Sequence, residues 1–235
     1  MSTKDSRYRS PLRMFEKAIN GGIGQGNIGV VLSRAGVGKT AFLVGIAVDA
    51  LLQGRKVMHI STEESVEKLR AFYDEIFHLM CENLQLENRM QKHLELERNR
   101  QILVYNRKAF TLDKLIETAN FLKEIAHFSP DVVIMDGTPR FEHSERWEIE
   151  GIKKLAGSWG AEVWTSAQVH RNGQNYDDRG VPLEVANYDD LLDVITLLEP
   201  DKTHVHVRIL KVHDLEEVPH LNMELDPKTL LLRWQ

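Results

Sequence analysis

The segment from Ile28 to Leu52 constrains the fold of this chain more than any other. It reads IGVVLSRAGVGKTAFLVGIAVDALL, which is a β-branched apolar run, a turn of small residues, and a Lys-Thr pair that opens a long apolar stretch. The first run is typical of a buried strand and the last of a buried helix. A strand that leads into a helix through a Gly-rich turn is the repeating unit of parallel sheets, so we expect an α/β fold.

The turn in this segment has the composition of a phosphate-binding loop. Gly36 and Gly38 allow backbone N–H groups to surround phosphate oxygens, and the helix N-terminus adds a favourable dipole. Lys39 is placed to reach the β- and γ-phosphates and Thr40 to ligate magnesium, although Ser33 replaces the first glycine of the G-x-x-x-x-G-K-[ST] pattern. The alternative is an ordinary glycine turn. The residues expected to bind a nucleoside triphosphate, ATP with Mg²⁺, are Ser33, Arg34, Ala35, Gly36, Val37, Gly38, Lys39, Thr40 and Ala41.

A second metal ligand is expected at the end of another apolar strand. The segment PDVVIMDG places Asp136 directly after four apolar residues. Open α/β sheets bind ligands at the carboxyl ends of their strands, where Asp136 would lie. We therefore expect Asp136 to hold magnesium together with Thr40, directly or through water. The alternative is a simple turn residue.

Short β-branched runs alternate with stretches of helical periodicity along the rest of the chain. Strands are expected at residues 28–32, 56–61, 101–105, 131–135, 161–166, 193–198 and 203–211. Most of these runs lack polar alternation, so helices should cover both faces of the sheet. A helix capped by Thr111 is expected over residues 111–128. Residues 65 to about 98 are expected to form a helical insertion with a solvated far end.

Two further patterns are interpreted as structural. Near-helical spacing favours a core face over a base-stacking platform for Trp147, Ile152, Leu155, Ala156 and Trp159. His204 and His206 share one face of a strand, but no third ligand stands at a useful spacing. We expect them to be surface histidines rather than a metal site.

Composition limits the location and the partners. A chain of 235 residues with 42% apolar composition fits one substantial domain, predicted at residues 15–235. The single cysteine, Cys81, excludes an internal disulfide framework, and no stretch has the roughly 20 apolar residues of a membrane span, so we expect a cytoplasmic protein. The net charge of −5 argues against nucleic acid as the main partner. Residues 1–14 are expected to be a solvated basic tail, with Lys4, Arg7, Arg9 and Arg13.

Three further segments resemble one protein family. The strand KVMHIS runs into Thr62 and two glutamates, the strand AEVWTS runs into AQVHR, and ILKVHD lies near the C-terminus. Together with GGIGQGNIGVVLSRAGVGKT they resemble the RecA-like ATPases, in the branch of KaiC and the DnaB replicative helicases, over about Phe15 to Trp234. The resemblance implies a RecA-like α/β domain with a mainly parallel central sheet, helices on both faces, and a final antiparallel strand pair that ends with TLLLRWQ.

The resemblance also implies roles for individual residues. Glu63 falls on the glutamate that polarises the attacking water, with Glu64 beside it as in the KaiC-type pair. Gln168 falls on the glutamine that senses the γ-phosphate, with Ala167 in place of the family's serine. The alternatives are that the glutamates favour the start of the next helix through its dipole, and that Gln168 is a polar residue at a strand end.

The resemblance also implies a residue that acts between neighbouring subunits. Lys211 falls on the lysine of a Lys-x-Arg pair that reaches the site of the next subunit, where His213 replaces the arginine. The resemblance thus implies a homo-oligomer, a hexamer with its site at the subunit interface. The family's arginine stabilises the negative charge of the transition state, and a neutral histidine would do so only weakly. We therefore expect slow hydrolysis.

Several functions stay open at this point. The loop at residues 169–185 lies where helicase relatives bind DNA, but Asp177 and Asp178 offset Arg171 and Arg179, so nucleic acid is not favoured. The favoured function is a regulatory or remodelling ATPase that acts on an unknown protein partner. The alternatives are a DNA repair or helicase-like ATPase, a nucleotide-gated binding module with little turnover, and a phosphotransferase that acts on protein hydroxyls.

Overall fold

The computed structural model describes residues 10–170 and 175–234, and these residues build one sheet with helices packed on it. The strands are β1 (Ile28–Ser33), β2 (Val57–Ser61), β3 (Arg100–Val104), β4 (Val132–Asp136), β5 (Glu162–Gln168), β6 (Val194–Pro200), β7 (Val205–Val212), β8 (Met223–Leu225) and β9 (Leu232–Trp234). The helices are α1 (Pro11–Ala18), α2 (Lys39–Leu52), α3 (Val66–Asn83), α4 (Arg89–Asn99), α5 (Leu112–Ile125), α6 (Arg146–Trp159) and α7 (Leu183–Ala186).

The sheet is mostly parallel. Its strand order is β3-β2-β4-β5-β1-β6-β7-β8-β9, and the six strands from β3 to β6 in that order run parallel to one another. Strands β7, β8 and β9 extend one edge in antiparallel fashion. The expected α/β fold is confirmed, and all seven strands expected from the sequence form with ends within two residues of their predicted bounds. Strand β8 is the one that the sequence does not predict.

Helices cover both faces of this sheet, as the apolar strands require. One core contains residues of α1, α2, α3 and α4, and the other contains residues of α5, α6 and α7. Every residue of α2 from Ala41 to Leu51 is buried. Because burial of each large apolar side chain contributes about 1.5–3 kcal/mol, α2 is held firmly against the sheet.

The helices after β2 and β3 agree with the sequence pattern. Ser65 caps α3 by accepting a hydrogen bond from the Lys68 N–H, and Thr111 caps α5 in the same way. Helix α3 buries one side against the core, whereas α4 buries only Leu96. The solvated far end expected near residue 98 is therefore confirmed, with a break between the two helices at residues 84–88.

Two sequence expectations need correction or adjustment. Periodicity predicts Trp147 in the core, yet 60% of it is exposed, because the buried face of α6 begins only at Ile149. The predicted tail boundary at residue 14 falls inside α1, whose Leu12 and Phe15 are buried. Arg13 pairs there with Asp49 at 2.7 Å. Lys4, Arg7 and Arg9 lie outside the described residues.

Candidate functional site

The loop between β1 and α2 wraps around the start of the helix. Gly36 and Gly38 have φ angles of 77° and 114°, in the left-handed region that glycine adopts most easily. A Cβ atom on Gly38 would also lie 2.9 Å from Leu225 Cδ2, so a larger residue is excluded by contact as well. Gly38 is the N-cap of α2 and provides no side-chain cap. The first N–H groups of the helix are therefore free to bind an anion.

Lys39 points back across this loop. Its Nζ lies 3.4 Å from both Ser33 O and Ser33 Oγ, and 3.5 Å from Arg34 O. Partial burial lowers the pKa of Lys39, and the nearby Glu63 and Asp136 carboxylates oppose that shift. Since these contacts are long and made to neutral oxygens, the ammonium group can turn toward a phosphate at little cost.

Thr40 and Asp136 meet at the base of the site, as predicted. The Thr40 Oγ1 hydroxyl donates to Asp136 Oδ2 at 2.6 Å, although the two residues lie 96 positions apart. Ser166 Oγ donates to the other oxygen of Asp136 at 2.9 Å and accepts from the Gly137 N–H at 3.0 Å. Asp136 is fully buried at the end of β4. One carboxylate and one hydroxyl are hard oxygen donors, the set that Mg²⁺ prefers.

The turn after β2, which carries Glu63, is hydrogen-bonded to the end of β4. The Thr62 N–H donates to Asp136 O at 3.1 Å, and the Thr62 hydroxyl donates to Gly137 O at 2.9 Å. Gly137 has a φ of 78°, and a Cβ atom there would lie only 2.3 Å from Glu63 Cγ. The stem of Glu63 thus passes directly over Gly137, and a larger residue there would strain the backbone and displace this side chain.

A polar cavity of about 120 Å³ opens at this point. It brings together three residues that the sequence singles out, namely Lys39, Glu63 and Gln168. The rest of its lining is Arg107, Gly137, Pro139, Arg140, Phe141, Glu142, Ser166, Ala167, His170, Glu184 and Val185. A second cavity, of about 40 Å³ and mostly apolar, lies between α1, α2 and the C-terminal strands, away from these groups.

Two of the four residues expected to act in catalysis lie away from the cavity, and the two expected Mg²⁺ ligands do not line it either. Glu64 forms an ion pair with Lys68 at 2.7 Å along α3 and does not line the cavity. Lys211 donates to Asp189 O at 2.6 Å and to Asp189 Oδ2 at 3.0 Å, and only 13% of its side chain is exposed. Its ammonium group is thus held within its own chain.

Sequence reasoning missed several residues that line the cavity. Arg107 follows β3 and donates to Glu63 Oε1 at 2.7 Å. Arg140 follows β4, and Ser166 lies within β5. Their common signal is a polar side chain at the carboxyl end of a parallel strand, the same signal that identifies Asp136.

Arg179 and the two histidines of β7 and its preceding turn do not line the cavity. Arg179 is paired with Asp177 at 2.6 Å and with Asp189 at 2.9 Å, so its charge is already neutralised, while Arg171 lies outside the described residues. His204 and His206 face the carboxylate of Glu224, at 3.8 and 3.4 Å.

A possible metal-binding cluster lies elsewhere, between α3 and α4. Ligand atoms of Asp74, His93 and Glu97 come within 4.8 Å of one another. The Arg100 guanidinium is hydrogen-bonded to Glu97, and His93 to Asp74. These contacts satisfy the group without an ion.

Neither models of known protein families nor a search of curated proteins gives a match to this sequence. Within residues 10–170 and 175–234, no helix has the length and apolar character needed to cross a membrane.

Proposed function

We propose that this chain is a RecA-like ATPase that binds ATP with Mg²⁺ and hydrolyses it slowly. The observation that carries the proposal is the hydrogen bond between Thr40 and Asp136, directly beside Lys39. A glycine loop at a helix start, a lysine, a hydroxyl and a buried carboxylate are the parts that phosphate and magnesium recognition require.

Each part has a defined task in this proposal. The N–H groups of residues 36–40 and the Lys39 ammonium hold the phosphates. Thr40 and Asp136 would hold Mg²⁺, which would neutralise charge on the phosphate oxygens. Ser166 keeps the Asp136 carboxylate oriented through its hydrogen bond to Oδ1. This arrangement would bind the triphosphate before its hydrolysis begins.

Glu63 is the residue proposed to act on water. It lines the same cavity as Lys39, and its stem lies over Gly137. A carboxylate in this place can orient a water molecule and accept its proton while water attacks the γ-phosphorus and the bond from that phosphorus to the leaving ADP oxygen breaks. Gln168 lines the cavity too, and its amide can accept from water and donate to phosphate.

Slow turnover follows from the contact that occupies Lys211. Its ammonium group is bound by Asp189 of its own chain. The same contact favours a second candidate function, a nucleotide-gated binding module that barely hydrolyses ATP. The paired state of Arg179 favours a protein partner over DNA for either candidate.

Phosphate release from ATP and Mg²⁺ tests the proposal. The Glu63→Gln variant is expected to bind ATP at least as tightly as the wild type and to lose turnover by about 100-fold or more, as removal of a general base does. Glu64→Gln is the matched control, because the neighbouring glutamate does not line the cavity, and its turnover should equal that of the wild type. Equal turnover in both variants would remove the role of Glu63. Binding without phosphate release at every protein concentration would instead favour the gated module.

A further inference from the structure

The ion pair between Arg107 and Glu63 stands at the mouth of the proposed triphosphate site. Arg107 Nη2 lies 2.7 Å from Glu63 Oε1, and both residues line the cavity together with Lys39. The hydrogen bond occupies Oε1, one of the two oxygens of the carboxylate that is proposed to accept a proton from water. The ion pair thus engages the proposed base through one oxygen.

This ion pair is well suited to be broken. The side chains of Arg107 and Glu63 are 48% and 40% exposed, and ion pairs at such exposed positions contribute little stability. The two partners differ in their surroundings. The stem of Glu63 lies against Gly137, whereas Arg107 lies after β3 in a segment, residues 106–109, that is exposed throughout. Arg107 is thus the partner with more room to move.

A terminal phosphate would compete for the same guanidinium. A phosphate bound by Lys39 would lie in the cavity that Arg107 lines, and it carries more negative charge than one carboxylate. The planar fork of arginine matches phosphate oxygens in pairs, which makes this contact stronger than the single hydrogen bond to Glu63.

We infer that Arg107 exchanges its partner, leaving Glu63 for the terminal phosphate when a nucleoside triphosphate binds. This inference rests on the proposed function. A diphosphate lacks the terminal group and leaves the ion pair closed. Arg107 is therefore a residue that selects triphosphate over diphosphate, and the same exchange frees Glu63 only when there is a phosphate to cleave.

Arg140 provides an internal comparison. It brings the same charge to the same cavity, but within residues 10–170 and 175–234 its guanidinium has no carboxylate partner. Removal of Arg140 changes the charge of the cavity without touching the ion pair. Removal of Arg107 changes the charge of the cavity and also breaks the ion pair.

The test is a set of binding titrations with a non-hydrolysable ATP analogue and with ADP, each with Mg²⁺. Arg107→Ala is expected to lower the affinity for the ATP analogue by about tenfold and the affinity for ADP by less than about twofold, as loss of one charge-assisted contact implies. Glu63→Gln is expected to raise the affinity for the ATP analogue by roughly threefold to tenfold, because Arg107 no longer has to leave a carboxylate.

Double variants separate the exchange from plain charge repulsion. The gain in affinity for the ATP analogue that Glu63→Gln gives should vanish when this substitution is combined with Arg107→Ala. It should persist when the substitution is combined with Arg140→Ala. A gain of equal size in both backgrounds, or equal weakening of both nucleotides by Arg107→Ala, would overturn the exchange. A wild-type chain that binds neither nucleotide would overturn the proposed function itself, so the two failures are distinct.

Discussion

Gly137→Ala tests whether the placement of Glu63 matters for turnover. A Cβ atom at this position would lie 2.3 Å from Glu63 Cγ and 2.9 Å from Thr62 Oγ1. The φ of 78° adds backbone strain of about 1–2 kcal/mol for any residue but glycine. The Glu63 side chain can relieve the contact only by moving off Gly137, and a displacement of about 1 Å in a catalytic group costs about 100-fold in rate.

The expected result is a loss of about 1–3 kcal/mol in the free energy of unfolding, with turnover lowered by roughly 100-fold. Binding of an ATP analogue should stay within about threefold of wild type, because Lys39 and the loop amides are untouched. Urea denaturation, phosphate release and calorimetric titration measure the three quantities.

Gly54→Ala is the matched control. Gly54 has a φ of 79°, and nothing lies within 4 Å of the Cβ position, so this variant introduces the same strain without the contact. It should lose similar stability and keep its turnover. Turnover in Gly137→Ala equal to that of Gly54→Ala would refute the reasoning.

Three further predictions follow from the contacts. Asp136→Asn is expected to raise by tenfold or more the Mg²⁺ concentration needed for ATP binding, roughly the effect of losing one charged ligand; an unchanged Mg²⁺ titration would contradict its role. Burial raises the pKa of Asp49 from 3.8 to about 6, so folded chains keep this proton while unfolded chains release it. Stability is therefore lost as the pH rises from 4 to 6, and wild type should lose on the order of 3 kcal/mol relative to Asp49→Asn between pH 4 and 7 in urea denaturation. Lys211→Ala should leave ATP affinity within about twofold in calorimetric titration, because Asp189 holds the lysine away from the cavity.

The sequence predicts the strands well because each is a short apolar run with clear ends. It also predicts that Thr40 and Asp136 meet, since one opens a helix directly after a strand and the other ends a parallel strand of the same sheet. Both predictions depend on local patterns and on a general property of parallel sheets, so they need no knowledge of the strand order.

The contacts that the sequence could not predict depend on the order of the strands. Arg107 reaches Glu63 because β3 lies next to β2, and Ser166 reaches Asp136 because β5 lies next to β4. Periodicity also fails at Trp147, since it defines a helix face but not how far the covering surface extends along the helix. Strand β8 has three residues, MEL, and its central glutamate interrupts any apolar run, whereas the equally short β9 begins in the run LLL.

Binding of ATP with Mg²⁺ to the wild type and to Lys39→Ala, measured by calorimetric titration, tests the central proposal most directly. Lys39 is the cation beside the loop and the buried carboxylate, so its removal should weaken ATP binding by about 100-fold or abolish it. The folded state of the variant is checked by its unfolding midpoint in urea. Undiminished affinity in a folded Lys39→Ala chain would contradict the assignment of this loop as a triphosphate site.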